Sequence, residues 1–428
     1  MIALALFGSF FVLLLCNVPV AASMGLATVI GALAGGYSLT SVASLMYAAI
    51  SKNVLLAIPY FILTGVLMEY AGISKRLIRL AEVCVGHIKG GLAYVVIIVA
   101  CFFAAISGSG PATVAALGGI LIPAMEKNGY DKNMSAALVA ASGGIGVIIP
   151  PSIAFVIFAM YAELSVGKLF ICGIVPGLFL GLMYAAAATW SIRKDENIVR
   201  SKKEGSRERW LAFKDALWGL LTPFIILGGI YTGIFTATEA AGVAVVYSLF
   251  VGVFIYREIK IKDLISIFID SAKTSAVVMY ILSTAGILSW LLTTSGVAKE
   301  MSVALMSLSS NKYIILLLFN ILFIIAGCFV EANSAFCLFL PILLPIIDSI
   351  GYSRYAFAIF MVTSFAVGMV TPPVGANLYV ACNIGRLSMG DICKKIVPFV
   401  VAGMIAVLVL TYIPAISLFL PDMIGMKQ

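Results

Sequence analysis

Charge is scarce in this chain: Asp, Glu, Lys and Arg make up 11% of 428 residues, and there is a single histidine, His87. A water-soluble fold carries about a quarter of its residues as charged side chains, so this composition cannot clothe one. No two cysteines stand at C-x-x-C spacing, no H-E-x-x-H occurs, and no G-x-x-x-x-G-K-[ST] loop is present. These absences remove the sequence grounds for a thiolate metal or redox site, a zinc hydrolase or a P-loop motor. The eight cysteines (Cys16, Cys84, Cys101, Cys172, Cys328, Cys337, Cys382 and Cys393) lie mostly in apolar stretches and read as small packing residues.

What is abundant is apolar surface, with 62% hydrophobic residues and a mean hydropathy of +1.14. Charge-free runs recur along the chain, and a bilayer core of roughly 30 Å takes about 20 such residues per crossing. The fold class is therefore all-α and integral to a membrane. The net charge of +8 does not point to nucleic acid, because Lys and Arg fall between the apolar segments, where they set orientation. The first apolar run, Ile2 to Leu15, lacks a basic leader and reads as a retained membrane helix, although Val20-Ala21-Ala22 has the form of a cleavage site.

Displacing the sequence against itself by 222 residues superposes structurally expensive residues without a gap from Pro111 to Gly181. Pro123 meets Pro345, Gly129-Tyr130 meets Gly351-Tyr352, Gly146 meets Gly368, Pro150-Pro151 meets Pro372-Pro373, Pro176 meets Pro398 and Gly181 meets Gly403. The chain reads as two copies of one unit. The first, 1–214, holds scaffold helices to residue 90, a hairpin, broken helix and final helix over 91–192, and a basic cytoplasmic loop over 193–214. The second, 215–428, holds scaffold helices to residue 311 and the matching hairpin, broken helix and final helix over 312–428.

From Gly91 to Met125 there is no charge, but Ser107-Gly108-Ser109-Gly110-Pro111 interrupts the run and leaves legs of about 16 and 14 residues. At 1.5 Å per residue neither leg spans the bilayer, which favours a re-entrant hairpin over one kinked helix or two short crossings. Segments 133–162 and 355–385 read as crossings broken at Gly143-Gly144 to Pro151 and at Gly368 to Pro373. With three full crossings before each hairpin and two after it, each unit has an odd number, so the second is inverted relative to the first. Of 27 Lys and Arg, all but Lys52, Lys168, Lys299, Lys312, Arg354 and Lys427 then share one side. That side is the cytoplasm, and both termini face outward.

Inverted repeats with interrupted helices at the midplane are the plan of secondary transporters. Breaking a helix frees carbonyls and amides that cannot face lipid, so they line a cavity or hold an ion. Two cation sites are expected. The first combines Ser107 and Ser109 with the unwound stretch at Gly146, Ile149 and Ser152; the second pairs Gly327 with Gly368, Thr371 and Val374. Helix packing is the competing use for each glycine, and both serines can instead bond to carbonyls of their own helices. Thr113, Glu331, Asn333 and Asn377 are the candidates for facing a substrate. Glu331 reads either as a buried ion or proton ligand or as a solvated end residue. Glu239 reads as a helix N-terminal charge.

In order along the chain, SGSGPATVAALGGILIPAMEKNGYD from Ser107, GIGVIIPPS from Gly144, TATEAAG from Thr236 and GMVTPPVGAN from Gly368 resemble the large membrane subunit of the tripartite ATP-independent periplasmic (TRAP) transporters. The resemblance implies an elevator mechanism and coupling to Na+. It also implies a small four-helix membrane subunit, here expected as a separate chain, and a periplasmic binding protein that delivers the ligand. Implied substrates are organic acid anions such as C4-dicarboxylates and sialic acids, and the implied location is the bacterial inner membrane. Two other classes compete. An intramembrane hydrolase using Ser107 or Ser109 lacks a base, since His87 falls in a cytoplasmic loop. A channel also uses broken helices, but inverted symmetry argues for alternating access.

Overall fold

The computed structural model describes residues 1–426 except 194, 196, 308 and 310, and every regular element among the described residues is helical. Among the described residues, eight helices are long and apolar enough to cross a membrane. The first amides of a helix have no partner within it, and side chains in the connections between the apolar helices supply one. Asp131 accepts from Met134 N–H at the start of Lys132–Gly143, Ser165 caps Val166–Ile192, and Ser388 caps Met389–Tyr412. Thr236 and Glu239 form a reciprocal capping box on Ala237–Phe250. The Thr236 N–H and hydroxyl donate to the Glu239 carboxylate at 2.8 and 2.9 Å, so Glu239 is the helix N-terminal charge expected of it.

Each half contains a helical hairpin followed by a broken crossing and a long final helix. The first hairpin consists of Gly91–Ser107 and Gly110–Lys127, and its broken crossing of Lys132–Gly143 and Ile153–Ala162. The second hairpin consists of Lys312–Phe329 and Ala332–Ser349, and its broken crossing of Arg354–Gly368 and Ala376–Gly385. The legs of the second hairpin are by length and composition candidates for full crossings. Their tip contacts decide otherwise: Gly375, inside the break of the next crossing, donates its N–H to Cys328 O at 2.9 Å. A tip bonded to the interrupted middle of a crossing lies inside the membrane, so both hairpins are re-entrant.

Several elements differ from expectation. The segment read as a basic loop over 193–214 becomes helix at Ser206, and Ser206–Tyr231 runs through the expected division at 214/215. Before it, the connecting strand is tied down: Val199 N–H donates to Asn128 O at 3.0 Å and Ser201 N–H to Gly86 O at 3.2 Å. The segment 71–91, expected as a loop, contains the amphipathic helix Ile73–Val85, which buries Ile73, Leu77, Ile78 and Ala81 while Lys75 and Arg79 face outward. Arg76 on this helix reaches Asp215 at 3.2 Å and Glu258 at 3.3 Å and lies 3.9 Å from the ring centre of Tyr256. The matching helix in the second half is Val297–Ser307. The amphipathic stretch and third crossing of the second half fuse into one helix, Ile261–Thr294, where the first half separates Val42–Ile50 from Ala57–Tyr70. A further short helix, Pro414–Met423, follows the final helix. Lys427, counted in the charge bias, lies outside the described residues.

Candidate functional site

In the first half the chain leaves helix at Gly143, makes a tight turn over Gly144–Val147 and re-enters helix at Ile153. Pro150 and Pro151 supply no amide to bridge the gap. Ser152 does part of that work, donating its hydroxyl to Val147 O at 2.6 Å and accepting from Phe155 N–H at 3.4 Å. The hairpin tip sits directly on this break. Gly108 has a left-handed backbone (φ +61°), and a Cβ there would stand 2.8 Å from Pro151 O. A Cβ on Gly146 would stand 2.6 Å from Thr113 Oγ1 and 3.0 Å from Ser109 O. Thr113 Oγ1 and Ser107 Oγ both donate to Ser109 O, at 2.8 and 3.4 Å. Ser107, Ser109, Thr113, Gly146 and Ser152 therefore cluster at one tip-to-break junction. Ile149 turns its side chain onto Gly177 of the final helix, and its N–H bonds to Ile145 O at 3.1 Å. Only its carbonyl faces no such assignment.

The second half repeats the junction with tighter backbone contact. A Cβ on Gly368 would stand 2.7 Å from Gly327 Cα and 2.8 Å from Ile324 O, so two main chains touch where any side chain would separate them. Thr371 N–H bonds to Gly368 O at 2.9 Å and its hydroxyl to Val367 O at 2.7 Å. Val374 is exposed beside Gly375, whose N–H holds Cys328 O. At the tip, Glu331 begins the second leg in extended conformation and accepts from Asn333 Nδ2 at 3.4 Å, making one polar pair of two candidates. Asn377 stands apart. It is fully buried, its N–H bonds to Met369 O at 3.0 Å across the break, and its Nδ2 donates to Ala140 O at 3.3 Å in the other half.

Apart from the Glu331 carboxylate at the second tip, the oxygens at both junctions are carbonyls and hydroxyls. Among the described residues no group of three or more His, Cys, Asp or Glu converges. Such a donor set fits a hard cation such as Na+ and offers nothing to a transition metal. The scaffold touches the first junction through Gly65, where a Cβ would meet Ile106 O and Ser107 Cα at 3.5 Å. Away from both junctions a cavity of about 710 Å³ opens between scaffold and final helix, lined by Asn53, Leu56, Lys168, Ile230, Thr236 and Glu239.

One buried polar group escaped sequence reasoning. Asn320, in the first leg of the second hairpin, donates to Thr411 Oγ1 at 3.0 Å and accepts from Ser364 at 3.2 Å, linking hairpin, broken crossing and final helix. Its signal was a lone amide in the otherwise apolar run from Tyr313 to Phe329.

Residues 7–416 match the family described as the tripartite ATP-independent periplasmic transporter, DctM component. The chain belongs to this family. It is 42% identical over 420 residues to the isethionate TRAP transporter permease protein DctMQ of Oleidesulfovibrio alaskensis, covering 97% of itself but 65% of that protein's length. Against the C4-dicarboxylate TRAP transporter large permease protein DctM of Rhodobacter capsulatus it is 36% identical over the whole of both chains. Against the C4-dicarboxylate DctM of Pseudomonas aeruginosa it is 39% identical over 91% of each. These relatives are transporter permeases, not enzymes, and with the apolar helices they make this DctM-family chain a multi-pass inner-membrane protein. The fold is shared beyond the family: the YdaH transporter of Alcanivorax borkumensis aligns with a TM-score of 0.63 at 15% identity, over 88% of this chain and 87% of that one.

Proposed function

We propose that the chain is the large transport subunit of a TRAP system that takes up small organic acid anions, driven by Na+ bound at the two tip-to-break junctions. The observation that carries this reading is the repetition of that junction, once in each half, with carbonyl and hydroxyl oxygens gathered at each and, among the described residues, no convergent carboxylates. Half-helix N-termini at the same depth favour the anion. Relatives named for C4-dicarboxylate, isethionate and 2,3-diketo-L-gulonate support the substrate class, and sialic acid is its larger extreme. Hairpins, broken crossings and final helices form the body that slides as an elevator against a scaffold built from the remaining helices. The partners are a small four-helix membrane subunit and a periplasmic binding protein, and both termini face the periplasm. Each net positive charge carried inward gains roughly 2.3 kcal/mol per 100 mV, so surplus Na+ over an anion drives accumulation.

The test is uptake into proteoliposomes holding both membrane subunits, with the binding protein outside and labelled succinate, isethionate or sialic acid as substrate. Accumulation that requires an inward Na+ gradient is expected for one of them. Uptake indifferent to Na+, or a single-channel current, overturns the reading.

A further inference from the structure

Asn377 connects the two junctions, and it does so without a counterpart. The internal displacement pairs it with Phe155, which is buried and packs on Gly173 within its own half. Asn377 instead crosses between halves. Its main chain closes the second break through Met369 O, two residues after Gly375 holds the tip of the second hairpin. Its side chain lies against the first junction. A Cβ on Gly110 would stand 3.0 Å from Oδ1, and a Cβ on Gly143 would stand 3.3 Å from Nδ2. Gly110 opens the second leg of the first hairpin, and Gly143 ends the helix before the first break.

The amide orientation is fixed by chemistry, since only Nδ2 can donate to Ala140 O. That leaves Oδ1 fully buried with no hydrogen-bond partner, pressed against the start of the first hairpin's second leg. An unpaired carbonyl oxygen in a low-dielectric interior is costly, so any rearrangement that brings it a donor is favoured. The residue whose main chain closes the second break is thus the one whose side chain lies against the first junction.

We infer that Asn377 is a positioning residue that makes ion binding at the two junctions cooperative: filling the second site sets the amide against Gly110 and Gly143 and so prepares the first. By reciprocity, filling the first favours the second. The inference rests on the reading of both junctions as Na+ sites.

Na+ is titrated against the purified membrane complex, following thermal unfolding without substrate and, separately, uptake. The chains compared are the native one, Asn377→Ala, Asn377→Leu, which fills the same space without polar atoms, and Phe155→Leu at the equivalent position of the first half. The native complex is expected to show a Hill coefficient above 1. In both Asn377 variants it falls to about 1 and half-saturating Na+ rises at least about fivefold, the lower end of ordinary site-to-site coupling. Phe155→Leu lowers thermal stability but keeps the native coefficient. If neither Asn377 variant assembles, Gly110→Ala crowds the amide with Asn377 in place and gives the same loss of cooperativity. Native cooperativity retained in the variants, or a native coefficient of 1, overturns the inference and leaves Na+ coupling standing. A native complex indifferent to Na+ overturns both.

Discussion

Around the second hairpin Phe323, Phe336, Phe357, Phe360 and Phe365 stack with ring centres 5.3 to 6.1 Å apart. The same displacement puts Cys101, Val114, Ser135, Leu138 and Gly143 at the equivalent places in the first half. The backbone plan is common to both: a tip seated on a break, with Gly and Pro-Pro at matching positions. What differs is how each seat is filled. Rings fill the second from the side, while small residues let the first close up and admit the Asn377 amide. Symmetry in the backbone therefore coexists with different side-chain packing at the two junctions.

The comparison breaks most visibly at Phe323. Phe323→Ala opens a cavity among the rings of Phe319, Phe339, Phe357, Phe360 and Phe365 and is expected to cost about 3–5 kcal/mol, against about 1 kcal/mol for Cys101→Ala, read as thermal unfolding in detergent. Equal losses would mean that the two hairpins are packed alike. Next comes Gly368→Ala. Its Cβ meets three main-chain atoms of the second hairpin within 2.9 Å, whereas on Gly146 the nearest atom is the Thr113 hydroxyl, which can turn, and the nearest main-chain atom, Ser109 O, lies at 3.0 Å. Gly368→Ala is expected to cost about 1–3 kcal/mol or more and to abolish uptake, with Gly146→Ala the milder of the two.

How much of this was legible beforehand depends on what each feature is made of. Paired breaks, hairpin tips and their register were readable because Gly146 and Gly368, or Pro150-Pro151 and Pro372-Pro373, are residue types that few other positions tolerate. The helix Ile73–Val85 is masked by its charges, since Lys75, Arg76 and Arg79 read as loop charge, although Ile73, Leu77, Ile78 and Ala81 mark one face at helical spacing. The continuity of Ile261–Thr294 is masked for a different reason: the first half breaks at Ser51-Lys52, and the internal repeat suggests the same break in the second. Asn377 was legible as a polar residue in an apolar place. Its reach into the other half belongs to tertiary packing, which periodicity within one segment does not encode.

Smaller differences between the halves follow. Asp131 caps the first broken crossing and pairs with Lys395 at 3.0 Å, while Ser353, its equivalent, makes no side-chain cap. Burial raises the Asp131 carboxyl, but Met134 N–H and the Lys395 ammonium outweigh it and hold the group below its ordinary 3.8. A lowered folded value means stability that is present above about pH 4 and lost as pH falls through the folded value. Asp131→Ala should cost about 1 kcal/mol at neutral pH, with the gap to the native chain narrowing below about pH 4. Ser353→Ala should cost less and show no such pH dependence. A cost for Asp131→Ala that stays constant into acid would remove the charged cap. The smallest effect is expected at Asn320, whose equivalent is Ile98. Asn320→Leu leaves Ser364 and Thr411 bonded to Phe360 O and Val407 O, so about 0.6 kcal/mol is lost, typical of one hydrogen bond in a membrane interior.

The central claim is that the breaks hold the driving ions, and equilibrium binding of radioactive sodium to the purified membrane complex tests it without requiring transport. Thr371 lies in the second break, within one turn of Gly368, and contributes a hydroxyl whose loss leaves the backbone intact. The account predicts that assembled Thr371→Ala binds Na+ with clearly raised half-saturation. An assembled Thr371→Ala complex with the native binding curve would contradict it.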